Sequence, residues 1–352
     1  MAATAPVKRK VIIDQDTFGP GGSNLLSILM VLQSPDCEVL GLTTVTGDGW
    51  VKENTAQALH LLEQIGRTDV PVAAGATYPL VNTEQATRDW ERRHGPLPYK
   101  GAWMESWPDY NTVHRPPYHG PDVVPPLPDG PLKTRAISAS AAEFLVEQVR
   151  RHPGEVTILA MGPFTNLALA ARLDPTFAAN ARELVFMGAA FNPDASGSDE
   201  FSQQFVHHPR VEFNCRFDPE AASIMLHAGW RKITCVPLDV TVRPRLTPEL
   251  VQRATTGSPG AAARYLGRFA QTGFPMWDEI AAAVLLDATV ATRTAQRALD
   301  LALDRGAAYG ATLSWPAGAG PGLGEPDVTV VQAIDEARLD ALFVELMRRG
   351  VP

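Results

Sequence analysis

Cysteine is scarce in this chain: Cys37, Cys215 and Cys235 are the only three in 352 residues, far apart and with no CxxC pair. An odd, sparse set suits reduced core thiols and indicates neither a disulfide framework nor a zinc site. Basic charge is short as well. Thirty-one Lys and Arg face 39 Asp and Glu, a net charge of −8, and the one basic cluster, Lys8-Arg9-Lys10, reads as a solvated approach to a strand. With no basic stripe to release counterions, a nucleic-acid backbone is excluded as partner. No apolar run approaches a membrane span, and Met1 to Val7 carries no apolar segment of signal-peptide length. The expectation is a soluble, cytoplasmic protein with no membrane partner.

What is present has a clear rhythm. With 45% hydrophobic and 20% charged residues, the chain is ordinary globular material, long enough for a substantial core. Val11-Ile12-Ile13-Asp14-Gln15-Asp16 reads as a short buried strand ending in carboxylates. Gly19-Pro20-Gly21-Gly22 then makes a tight loop, and Leu25 to Leu32 an apolar helix that stops before Pro35. The loop's glycine spacing matches neither the dinucleotide nor the P-loop fingerprint. Strand, glycine loop and helix open a doubly wound α/β domain, in which ligands sit outside the carboxyl ends of the strands, so Asp14 and Asp16 would point into a site. Two carboxylates that close together invite a hard cation or a general base; the plainer alternative is a loop cap.

The βα unit repeats. Cys37 to Val45 is a strand closed by Thr46-Gly47-Asp48, Val51 to Ile65 a helix, and Val70 to Gly75 a third strand. Asp48 would lie near Asp16 if the first two strands are neighbours. From about Val81 to Arg135 the periodicity dissolves among Trp90, Tyr99, Trp103, Trp107, Tyr110, His114, Tyr118, His119 and many prolines, which reads as an irregular, ordered lid or subunit-contact insertion. Regularity returns with a helix over 138–151, strands over 155–161 and 183–188, a polar loop to about Arg210, and Asp218-Pro219 as N-cap and first helical residue. Strands at 233–238 and 327–331 and helices from Thr247, at 280–286 and at 337–349 complete the pattern. No linker divides these units, so residues 1–352 are expected to form one domain with a mostly parallel twisted sheet flanked by helices.

Six strings at strand ends now stand in order. They are Asp14-x-Asp16, Thr44-Val45-Thr46-Gly47-Asp48, Gly162-Pro163-Phe164-Thr165-Asn166-Leu167, Met187-Gly188, Glu212-Phe213-Asn214 with Asp218-Pro219-Glu220-Ala221, and Trp277-Asp278. Together they resemble the inosine–uridine preferring nucleoside hydrolases over nearly the whole chain. The resemblance implies a single α/β domain that hydrolyses the N-glycosidic bond of ribonucleosides with bound Ca²⁺, as a homodimer or homotetramer. It implies Asp16 as general base and metal ligand, Asp14 as support for that loop, the Met161 carbonyl and Asp278 as further metal ligands, and Glu212 and Asn214 on the ribose hydroxyls. Asp48 stands where an asparagine beside the site is usual. Trp277 would stack on the leaving base, where many relatives carry a histidine that can donate a proton.

The first loop departs from the pattern. Ser23 and Asn24 fall where two adjacent aspartates are usual, one a metal ligand and one a ribose contact. A calcium site of Asp16, Asn24, Asp278 and the Met161 carbonyl would carry two formal negative charges rather than three, and its affinity should fall. Weak calcium with retained hydrolysis is the leading expectation. A metal-independent enzyme acting on a modified nucleoside comes second, and a degenerate member that binds without turnover third. An Asp-x-Asp strand end also opens haloacid-dehalogenase-like phosphatases, but Phe18 stands where they need threonine or valine, and their later lysine and paired acids are not found.

Overall fold

The computed structural model describes residues 8–106, 116–193, 208 and 210–350. Trp107, Tyr110, His114 and most of the 191–210 loop lie outside the described residues. Within them, nine strands form one sheet in the order β3-β2-β1-β4-β5-β6-β9-β7-β8. The first six are β1 (Arg9–Gln15), β2 (Cys37–Thr44), β3 (Val72–Ala74), β4 (Val156–Ala160), β5 (Glu183–Met187) and β6 (Ile233–Val236). All of these pair in parallel, and β9 (Asp327–Ile334) continues the parallel run against β6. β7 (Ala291–Leu301) and β8 (Thr312–Pro316) close the far edge antiparallel. The expected mostly parallel α/β architecture is what forms.

Helices cover both faces, and each face has its own core. On one side α1 (Ser23–Gln33), α2 (Val51–Ile65) and α12 (Trp277–Leu286) pack with Val11, Ile13 and Leu159 of the strands. From Asn24 onward every residue of α1 is buried, which is why its sequence shows continuous apolarity rather than an amphipathic stripe. At roughly 1.5–3 kcal/mol per fully buried large aliphatic side chain, this helix alone is a large share of the hydrophobic drive. On the other side α4 (Ala141–Arg151), closed by a Ser140–Glu143 capping box, and α5 (Thr165–Leu173) cover Ile12, Ile158 and Leu184.

Strand order places the site. From β1 the chain winds outward through β2 and β3, then returns to lay β4 on the other side of β1 and winds away through β5 and β6. The crevice at that reversal, at the carboxyl ends of β1 and β4, is where open parallel sheets bind ligands.

Two segments differ from expectation. Within the irregular 81–135 stretch, Glu84–His94 is a regular helix, α3, capped by the Thr83 side chain on Ala86 N–H. Only Thr87 and Trp90 of α3 are buried, so its apolar signal is too thin to read as a period. Strands β7 and β8 went unread because β7 shows a mostly exposed face with Arg293 and Arg297, where hydrophobic patterning is weak.

Candidate active site

Nine of the ten residues singled out from sequence line one cavity: Asp16, Ser23, Asn24, Asp48, Met161, Glu212, Asn214, Trp277 and Asp278. They arrive from six segments. Asp16 follows β1, Asp48 follows β2, Met161 follows β4, Glu212 caps the five-residue helix α7 (Phe213–Phe217), and Asp278 opens α12. Asp14 does not reach the cavity. Its Oδ2 accepts from Thr43 Oγ1 at 2.5 Å and Asn166 Nδ2 at 2.8 Å, tying β1 to β2 and to α5. Its Oδ1 is buried without a partner, and burial pushes the acid up to about 7.

Asp16 sits at the centre. Its Oδ2 accepts the Asp48 N–H at 2.7 Å, and its Oδ1 accepts from Asn24 Nδ2 at 3.0 Å; the same amide nitrogen lies 3.2 Å from Asp48 Oδ2. Asp48 is thus beside Asp16, as neighbouring strands require. The approach is so close that a Cβ on Gly47 would stand 2.1 Å from Asp16 Oδ2, which explains the glycine there. Gln15, between the two aspartates, accepts from Asp16 N–H through Oε1 and donates from Nε2 to Asp278 Oδ2 at 3.0 Å. Ser23 donates to Glu279 Oε2 at 2.5 Å and accepts the Asp278 N–H at 3.0 Å.

The opposite wall is built on α7. Glu212 accepts backbone N–H groups of Ala189, Asn214 and Cys215 at 3.1, 2.8 and 2.9 Å. Ala189 holds a left-handed φ of 71° to aim its N–H there, a strain that persists only when its surroundings impose it. Asn214 donates to the carbonyls of Met161 and Met187 at 3.1 and 3.2 Å. Trp277 meets Phe274 edge to face, 6.5 Å between ring centres.

A family model described as inosine-uridine preferring nucleoside hydrolase matches residues 11–341. The chain belongs to that family. It is 35% identical over 259 residues to an Arabidopsis thaliana protein named probable uridine nucleosidase 2, covering 74% of this chain and 68% of that one. Against uridine nucleosidase 1 of the same plant it is 37% identical over 240 residues, 68% of this chain but only 59% of the relative. Thus it spans less than two thirds of the second relative's length. Among solved structures it is similar to a plant nucleoside hydrolase, with a TM-score of 0.71 and 26% identity, covering 98% of this chain and 100% of that one.

Electrostatics in this nucleoside hydrolase cavity are strained toward protonation or a cation. Burial, then the charges of Asp48 and Asp278, push Asp16 well above the carboxylate range. Asp278 is raised by burial, then by Glu279 and Asp48. Burial also lifts Glu212 to about 7 and Glu279 to about 8. Among the described residues no three His, Cys, Asp or Glu side chains stand close enough to enclose a metal by themselves. A hard cation would therefore have to draw on amide, carbonyl and water oxygens as well, which Asn24, Met161 and the open cavity can supply.

Sequence reading missed Gln15, Glu279 and Arg216 as site residues, and it took Tyr99 only as one aromatic among many. Tyr99 donates its hydroxyl to Asp48 Oδ1 at 2.6 Å from within the 81–135 insertion. Only the polar spacing of Gln15 inside Asp14-x-Asp16 offered a signal.

Proposed function

We propose that this chain hydrolyses the N-glycosidic bond of a ribonucleoside, water plus nucleoside giving ribose and free base. The observation that carries the reading is the convergence of Asp16, Asp48, Asp278, Glu212 and Asn214, from four separate segments, on one cavity at the sheet's reversal point. Cleavage of C1′–N passes through an oxocarbenium-like sugar, which anionic walls stabilise more than they stabilise the neutral substrate. Ionised Asp16 takes the proton from the attacking water as it adds to C1′. Asp48 and Tyr99 hold the carboxylate and the entry of the water in place. Glu212 and, through its Oδ1, Asn214 accept from the ribose hydroxyls, Ser23 fixes Asp278, and Trp277 stacks on the base. Asp14 acts as a positioning residue, anchoring the strand that presents Asp16.

Calcium fits as a weakly held cofactor, with Asp16, Asn24, Asp278 and the Met161 carbonyl as the groups that would hold it. Asn24 directs its amide nitrogen at Asp16, so ligation requires the amide to turn and present Oδ1. When bound, the cation supplies charge neutralisation that favours ionised Asp16 and makes a bound water easier to deprotonate. The reading also includes a cytoplasmic homodimer or homotetramer, supported by the family resemblance; among the described residues no helix is long and apolar enough to cross a membrane.

The test is a ribonucleoside panel with and without chelator, following free base and reducing sugar. Release of both in equal amounts, reduced by chelator and restored by calcium, is expected. Release indifferent to chelator, with no metal found by elemental analysis, would replace this reading with the metal-independent one.

A further inference from the structure

A second cavity, of about 330 Å³, opens at the far edge of the sheet, over β7, β8 and β9. It shares no lining residue with the active-site cavity, and its volume falls at the lower end of small-molecule sites. Three arginines line it: Arg293 and Arg297, four residues apart on β7, and Arg210, two residues before Glu212. Arg210 and Arg293 are exposed and Arg297 is half-buried, so a solute can reach their donors. Among the described residues none of the three pairs with a carboxylate. Their one side-chain hydrogen bond is long, from Arg293 Nη2 to the Gln332 carbonyl at 3.5 Å.

Backbone pairing holds these charges together. Strand β7 is hydrogen-bonded on both sides, to β9 and to β8. Val211 bridges to Ala311 and the Arg210 carbonyl accepts the Thr312 N–H at 2.9 Å, which pins Arg210 beside β8. The cavity's one acid, Asp239, is engaged elsewhere: its two oxygens accept the N–H groups of Phe191 and Asn192 at 2.9 and 2.7 Å. Thr312 accepts the Ala190 N–H at 3.1 Å through Oγ1, which leaves its hydroxyl proton to donate, and Ser314 adds a second hydroxyl to the lining.

Three cations against one anion leave a local charge of +2 in a chain whose net charge is −8. Guanidinium forks match phosphate oxygens in pairs. A phosphate monoester carries about −1.5 to −2 near neutral pH, which balances that excess, whereas a single carboxylate would balance half of it. We propose that this cavity is a binding site for a small phosphate monoester, separate from the site that holds the nucleoside. The inference stands apart from the hydrolase reading. The competing role for the arginines is to keep the antiparallel end of the sheet charged against association with other sheets, which requires no preference among anions.

Calorimetry on the full chain, in chelator and with ribose in excess to fill the nucleoside cavity, tests the site with two probes, ribose 5-phosphate and inorganic phosphate. Ribose 5-phosphate should bind roughly tenfold tighter than inorganic phosphate, the sugar filling space that the bare ion leaves. Combining Arg293→Ala with Arg297→Ala should weaken both at least tenfold, while the paired lysine substitutions, which keep charge without the fork, should retain part of the affinity. Both side chains reach solvent, so the alanine variant should melt with wild type and cleave uridine at the wild-type rate. Equal affinity for the two probes would replace the monoester by the free ion. No binding of either, or binding undiminished in the alanine variant, would overturn the site.

Discussion

Asn24 bridges Asp16 and Asp48 by hydrogen-bonding both from one amide nitrogen, a neutral stand-in for a positive charge. Replacing it by Asn24→Asp adds a carboxylate where two already repel. Calcium affinity measured by calorimetry should rise on the order of tenfold, because ligand charge is a main determinant of calcium binding, while the chelated variant melts below wild type. An unchanged affinity would remove Asn24 from the cation's surroundings. Glu212 makes a second prediction. If it serves a ribose hydroxyl as an ionised acceptor, as proposed, then, since burial lifts it to about 7, kcat/KM should climb as pH rises through neutrality. Glu212→Gln should lower the plateau and leave only the limb set by Asp16; a wild-type profile flat from mildly acidic pH upward would contradict the assignment. These residues were legible because a carboxylate or amide at a strand end has few packing reasons to be there. Arg216 and Glu279 were not, since their meaning depends on Trp90, Tyr309 and Ser23, which only folding brings to them.

Between residues and the whole lie the short helices that aim the side chains. Asp218 ends α7 and starts α8 (Pro219–Leu226), accepting from Ala221 N–H, Leu80 N–H and Thr165 Oγ1 at 3.2, 2.9 and 2.6 Å. Asp218→Ala orphans three donors and should cost about 3 kcal/mol in denaturant unfolding. Burial holds this acid at about 6, above its unfolded value near 4. Between those values the folded state keeps the proton that the unfolded chain gives up, so its contribution to stability falls as pH rises toward 6. The gap between wild type and variant should narrow from mildly acidic to neutral pH; a widening gap would contradict the shift. Asp218-Pro219 announced its helix plainly because capping is a local rule. Helix α3 did not, since its apolar contribution rests on Trp90 alone, and β7 did not, since a strand in the antiparallel part of a sheet can keep one face wet.

At the scale of the molecule, alternation of strand and helix was enough to anticipate a parallel sheet, and the carboxyl-end rule put Asp48 near Asp16 on the condition that β1 and β2 are neighbours, which they are. Strand order was not legible, because nothing local in β4 says that it returns to β1 instead of extending past β3. That return creates the cavity, and it brings Glu212 and Asp278, from segments far along the chain, to face Asp16. The cavity's buried like charges also predict a global effect. Calcium in excess should raise the melting temperature, since binding to the folded state alone stabilises it by mass action, and chelator should reverse the rise; no shift in either direction would argue for a site without a cation.

Everything proposed for this chain turns on Asp16 generating the nucleophile in a pocket that holds a ribosyl group. Initial rates of base release from the best ribonucleoside, for wild type and for Asp16→Asn, measure it most directly. In the variant kcat should fall roughly a thousandfold or more, with the protein folded and still binding the sugar. A variant that turns over at the wild-type rate would contradict it.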